Sequence, residues 1–158
     1  MIVQEFTLPR YRWHVRVYYA VTTCRAVEIA AALRAIGCGG EQLARAVRNL
    51  SESRPDTGLT YSNFASRETV VVTSLASSPA QFLNSWTHEM FHLCRHVAQA
   101  CGIDPYGEEA AYLAGTVAQK MFPVAGKLLC NHCRKNVEEE VINDRKSRLW
   151  HTAHTSTS

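Results

Sequence analysis

The segment from Pro79 to Cys101 constrains this chain more than any other, because a helical period organises it and a two-histidine pattern is set inside that period. Phe82, Trp86, Met90, Leu93, Val97 and Cys101 recur at helical spacing and form an apolar stripe. His88 and His92 follow Trp86 and Met90 by two positions, which turns them about 200° away from that stripe. A helix with this pattern packs by one face and lines a cleft with the other. Ser78-Pro79 predicts its start, since the hydroxyl can accept an orphan amide bond and proline is tolerated in the first turn. Gly102 predicts its end.

His88-Glu89-Met90-Phe91-His92 puts two imidazoles one turn apart on the same face, with Glu89 directed toward the same cleft. That is half of a zinc site. Two histidines at i and i+4 also occur by chance, so the reading needs a third donor. Asp104-Pro105-Tyr106-Gly107-Glu108-Glu109-Ala110-Ala111-Tyr112 predicts a second helix, capped at Asp104-Pro105, with carboxylates in its first turns. The short connection makes the two helices antiparallel neighbours. Ala110, Ala111, Ala114, Gly115 and Ala118 permit close approach, so Glu108 or Glu109 is available as the third ligand. A Zn²⁺ held by two histidines and one carboxylate keeps a position for water, and Glu89 is then the base that takes the water's proton. His96 continues the histidine row less well as a ligand.

Upstream, Trp13, Val15, Val17 and Tyr19 alternate with polar neighbours and predict a strand over 12–21. Ala26 to Ile36 and Glu41 to Leu50 predict a helical hairpin broken at Gly39-Gly40, and Pro55-Asp56-Thr57-Gly58 predicts a turn. Leu59 to Asn63 and Glu68 to Ser74 predict two short strands joined near Ser66, the second a continuous β-branched run suited to helix cover. Such a hairpin offers an edge for an extended peptide as readily as it makes an ordinary core element. Met121-Phe122-Pro123 predicts the end of the second cleft helix, with a further short helix from Val124. Cys130-Asn131-His132-Cys133 is a weak zinc pattern, because no partner CxxC supplies the remaining donors. Arg134 to Trp150 predicts a charged, solvent-facing helix, and 151–158 a flexible tail.

His88-Glu89-Met90-Phe91-His92 followed by Glu108-Glu109-Ala110-Ala111-Tyr112 resembles the zincin metallopeptidases of the gluzincin type, in particular the small minimal-domain forms of bacteria, mobile elements and prophages. The resemblance covers roughly 69–115. It implies an α+β fold, mostly helical with a small mixed or antiparallel sheet, and zinc-dependent hydrolysis of peptide bonds. It implies His88, His92 and Glu108 as ligands with Glu109 as the alternative, Glu89 as catalytic base, and a peptide or protein substrate on the strand around Val70 to Ser74. Many members carry an aspartate or asparagine where this chain has Tyr112, and that departure leaves support of a ligating histidine open. Tyr61, Tyr106 and His96 are candidate oxyanion partners.

The chain has 158 residues with a formal charge of +3, which suits one domain over 1–150 and gives no dense basic stripe for nucleic acid. The 6 cysteines fall mostly in apolar helical patterns, and no basic region followed by an apolar run opens the sequence, so a reduced, cytoplasmic protein is expected, with no membrane-spanning segment. A non-catalytic interaction module that keeps the fold is the main alternative. A mobile-element regulator using the Arg134 to Arg148 region is another, weakened by the acidic residues mixed into that helix.

Overall fold

Among the described residues, alternating and helical periods in the sequence become four strands and four α-helices. The computed structural model describes residues 1–52, 56–132, 135, 136, 139, 142 and 143. Strands β1 (Ile2–Leu8), β2 (Trp13–Val21), β3 (Gly58–Asn63) and β4 (Glu68–Ser74) make one sheet in the order β1-β2-β4-β3. The β1–β2 and β3–β4 pairs are antiparallel and β2–β4 is parallel, so the sheet is mixed. Helices α1 (Ala26–Ala35) and α2 (Gly40–Ser51) precede β3, and α3 (Pro79–Cys101) and α4 (Glu108–Leu128) follow β4. The expected α+β class holds.

Strand alternation divides the sheet between two apolar layers. Trp13, Val15, Val17, Tyr19 and Val71 pack with Phe82, Leu93, Val97, Leu113, Val117 and Met121 of α3 and α4. Tyr18, Val70 and Val72 pack on the other face with Ile29 and Leu33 of α1 and Ala46 of α2. The Val70-Val71-Val72 run is therefore continuous because helices cover β4 on both faces. Helix α3 has the expected bounds: the Ser78 hydroxyl accepts from the Gln81 amide at 3.2 Å, and Gly102 ends the helix in the left-handed region at φ 68°. Cys94 within it is a core thiol that burial pushes up to about 12. Among the described residues, no helix is long and apolar enough to cross a membrane.

Four features differ from the sequence expectations. Strand β1 is additional: its inward position 4 is a glutamine, which interrupts the apolar alternation, yet its amide accepts from the Tyr19 hydroxyl at 2.8 Å and donates to the Lys120 carbonyl at 2.7 Å. Strand β4 is internal, and β3 takes the edge instead. Helix α4 starts at Glu108 and not at Asp104-Pro105, because Asp104 closes its own turn by accepting from the Tyr106 amide at 3.0 Å. It also runs through Pro123 to Leu128, held by the buried row Val117, Met121, Ala125 and Leu128. Most of the predicted helix over 134–150, the tail over 151–158, Cys133 and Pro55 lie outside the described residues.

Pro123 is exposed and withholds an amide from the Gln119 carbonyl in the helix interior. Pro123→Ala restores that hydrogen bond and removes no core contact. It is expected to stabilise the chain by about 1–3 kcal/mol, read as a higher urea midpoint with an unchanged slope.

Candidate metal centre

One flank of α3 carries polar side chains that meet β3 step by step. The Ser85 hydroxyl donates to the Asp56 carbonyl at 2.9 Å, the Thr60 hydroxyl donates to Glu89 Oε2 at 2.7 Å, and Ser62 Oγ lies 2.9 Å from His96 Nδ1. Gly58, Thr60 and Ser62 share one face of β3 by its period of two, and that face looks at α3. Gly58 is required by this approach: a Cβ there would stand 2.5 Å from Glu89 Cγ and Oε1.

His88 and His92 converge. Their Nε2 atoms are 3.1 Å apart and the ring centroids 4.7 Å. Two imidazoles bound to one tetrahedral zinc have nitrogens roughly 3.3 Å apart, given Zn–N bonds of about 2.0–2.1 Å. The pair lies close to that spacing, which is also the distance at which one neutral ring donates to the other, so its separation fits zinc as far as two ligands go.

Glu89 is only 5% exposed, and burial pushes its carboxyl up from the ordinary value, opposed by the Thr60 hydrogen bond and by His88 and His92. His96 is half-buried, and burial lowers its pKa with help from His92 and Arg95, which favours the neutral ring. With Thr60, Ser62, Phe64 and the two other histidines, these residues line an open groove of roughly 430 Å³ between α3 and β3.

The two α4 glutamates stand elsewhere. Glu108 is exposed in the first turn of α4, and Glu109 is ion-paired with Arg10 at 2.8 Å and accepts from the Tyr11 hydroxyl at 3.5 Å. The α3–α4 connection brings the start of α4 beside the end of α3, and His92 lies nine residues back, about 14 Å along the helix. Among the described residues no three His, Cys, Asp or Glu side chains form a group able to hold a metal. Tyr61 packs toward α1 and α2 on the opposite face of the sheet, and Tyr106 is 96% exposed in the α3–α4 loop. Of the three oxyanion candidates, Tyr61 and His96 line the groove, and His96 is the one that stands on α3 in row with the histidine pair. Cys130 and His132 are exposed near the end of α4.

Sequence reasoning missed Gly58, Thr60 and Ser62. Their signal is the alternation of small and hydroxyl residues in a strand opposite a helix flank carrying Ser85, Glu89 and His96. The same strand offers its backbone. The Ser74 amide donates to the Thr57 carbonyl at 2.9 Å, which makes that pair hydrogen-bonded and leaves Gly58, Thr60 and Ser62 in the intervening positions. Their N–H and C=O groups therefore point away from β4, toward the open edge.

Comparison of the chain with models of protein families, with curated proteins and with solved structures returns no match. The functional reading therefore rests on the motif and this geometry.

Two outcomes follow from the packing of Glu89. Gly58→Ala is expected to cost about 1–3 kcal/mol by overpacking, and less when Glu89 is also replaced by alanine; thermal denaturation of the four proteins of that cycle measures the coupling. A carboxyl held above its unfolded value favours the folded state fully only below about pH 4. That contribution is lost as pH rises through the folded-state value. In metal-free protein Glu89→Gln is therefore expected to raise Tm by a few degrees at neutral pH, with the difference shrinking under acid conditions.

Proposed function

We propose that this chain is a zinc-dependent peptidase, with His88 and His92 as zinc ligands and Glu89 as the base that activates water. The observation that carries the reading is the convergence of the two Nε2 atoms beside a buried carboxylate, next to an open strand edge. Zinc bound there supplies an acidified water and polarises the scissile carbonyl.

An extended peptide pairs with the outward N–H and C=O groups of Gly58, Thr60 and Ser62, which aligns its backbone along the histidine row. Thr60 holds the Glu89 carboxylate through Oε2, and that carboxylate would take the proton of the attacking water and deliver it to the departing amine. The raised affinity of Glu89 for protons suits that transfer, since a base works best when its pKa approaches the working pH. The described side chains complete only two of the three protein ligands usual in catalytic zinc sites. That shortfall favours a second reading, a non-catalytic module that receives a peptide strand on β3.

Metal content and cleavage separate the two. Purified without a histidine tag and titrated with zinc, wild type is expected to bind one ion per chain, and His92→Ala none. Glu108→Ala is expected to keep the ion, because its carboxylate stands at the far end of α3; loss of zinc in that variant would make it the third ligand. Glu89→Gln is expected to keep zinc and lose about 10²-fold or more in peptide cleavage. Zinc binding with no cleavage by wild type favours the binding module, and no zinc binding at low micromolar concentration sinks the peptidase.

A further inference from the structure

A chain of hydrogen bonds crosses the sheet and ends on His96. Trp13 Nε1 donates to Thr69 Oγ1 at 2.8 Å, Thr69 Oγ1 lies 2.7 Å from Ser62 Oγ, and Ser62 Oγ lies 2.9 Å from His96 Nδ1. It begins in β2, passes through β4 and β3, and reaches α3. Trp13 is fully buried and Thr69 is 1% exposed, so no solvent interrupts its first link.

The direction of this chain is set at its origin. An indole nitrogen only donates, so Thr69 Oγ1 must accept from it. If Thr69 donates to Ser62 and Ser62 donates to His96 Nδ1, each contact holds one proton and both hydroxyl protons are used. In the reverse direction His96 Nδ1–H donates to Ser62 and Ser62 to Thr69. Thr69 then accepts twice, and its own proton has no acceptor in a buried position, the costlier arrangement. The forward direction makes Nδ1 an acceptor and puts the ring proton on Nε2.

The ring is also held in place. Phe64 meets it edge-on at 5.6 Å and meets Trp13 edge-on at 6.2 Å, bracing both ends of the relay. His96 lines the groove beside His92, with ring centroids 6.2 Å apart, and Ser62 already occupies Nδ1. Nε2–H is the nitrogen left to face the groove.

We infer that Trp13, Thr69 and Ser62 are positioning residues that fix His96 as a hydrogen-bond donor, and that His96 Nε2–H binds the carbonyl oxygen of a peptide lying between β3 and the histidine pair. The substrate part of this inference rests on the peptidase reading. A donor whose tautomer is fixed before substrate arrives needs no reorganisation as negative charge gathers on that oxygen.

The test uses full-length, zinc-loaded protein labelled with ¹⁵N in histidine. Long-range ¹H–¹⁵N correlation is expected to show His96 protonated on Nε2, and Thr69→Val, nearly isosteric, to give a mixture of tautomers. With the quenched fluorogenic peptide that wild type cleaves best, His96→Phe is expected to keep its zinc and its KM while kcat falls about 10²-fold. His96→Gln, whose amide can donate, is expected to recover part of that loss. A wild-type proton on Nδ1 overturns the relay. Unchanged kcat in His96→Phe, or loss of its zinc, overturns the donor role and leaves the peptidase standing. Cleavage that survives Glu89→Gln or needs no zinc overturns the peptidase reading and the donor role with it, and leaves the tautomer as measured.

Discussion

Burial of Glu89 between α3 and β3 is the contact on which the rest of the site depends. It requires a strand position without a Cβ, which Gly58 supplies, and a hydroxyl two residues on, which Thr60 supplies. Ser85 with Asp56 and His96 with Ser62 repeat the polar contact at either end. Two residues of strand advance about 6.8 Å and four of helix about 6 Å, so the two periods stay nearly in step over this length. A slip of β3 by one residue would turn Leu59 and Tyr61 toward Glu89 and leave a buried carboxylate without its donor. Buried polar contacts of this kind fix register more than they add stability.

The sheet order has a direct consequence for the cleft. Because β4 is enclosed between β2 and β3 and covered on both faces, it cannot accept a further strand. That role passes to β3, whose outward backbone groups lie beside the histidine row. An unprotected edge invites unwanted pairing, and proteins commonly blunt it. Here the edge faces a polar groove with three histidines, so a strand added there meets hydrogen-bonding side chains as well as backbone.

What could be read in advance depended on whether the deciding interaction was local. Ser78-Pro79 and Gly102 announce the two ends of α3, each within a turn of the end it marks, and the run over 70–72 announces β4. Strand β1 hides behind Gln4, whose amide bonds to Tyr19 and to Lys120 of α4, both distant in sequence. Pro123 signals a stop that the buried row from Val117 to Leu128 overrides. The position of Glu108 was legible from rise per residue alone: a short antiparallel connection brings the first turn of α4 to the last turn of α3, past the histidines. Glu109 is moreover engaged by Arg10, a pairing with no local sequence signal. Parity likewise separates Tyr61 from Thr60 and Ser62, but the choice of face becomes known only when β3 is docked on α3.

The two ionisable groups flanking the histidine pair are held in opposite ways. Glu89 is buried with one hydroxyl donor, and burial raises its hold on a proton against the opposing effect of that donor and the two histidines. His96 is half-buried with Ser62 on Nδ1, and burial favours its neutral ring, with Nε2–H facing the groove on the tautomer inferred above. Environments that separate a proton acceptor from a proton donor across one cleft are how a site divides base and electrophile at a single pH. A pair of histidines kept only for structure has no need of either neighbour, and a glutamine at position 89 would hold the same contact with Thr60 at lower cost. Holding a carboxylate there lowers the stability of the metal-free protein at neutral pH, a cost that the proposed role of Glu89 as a base would account for.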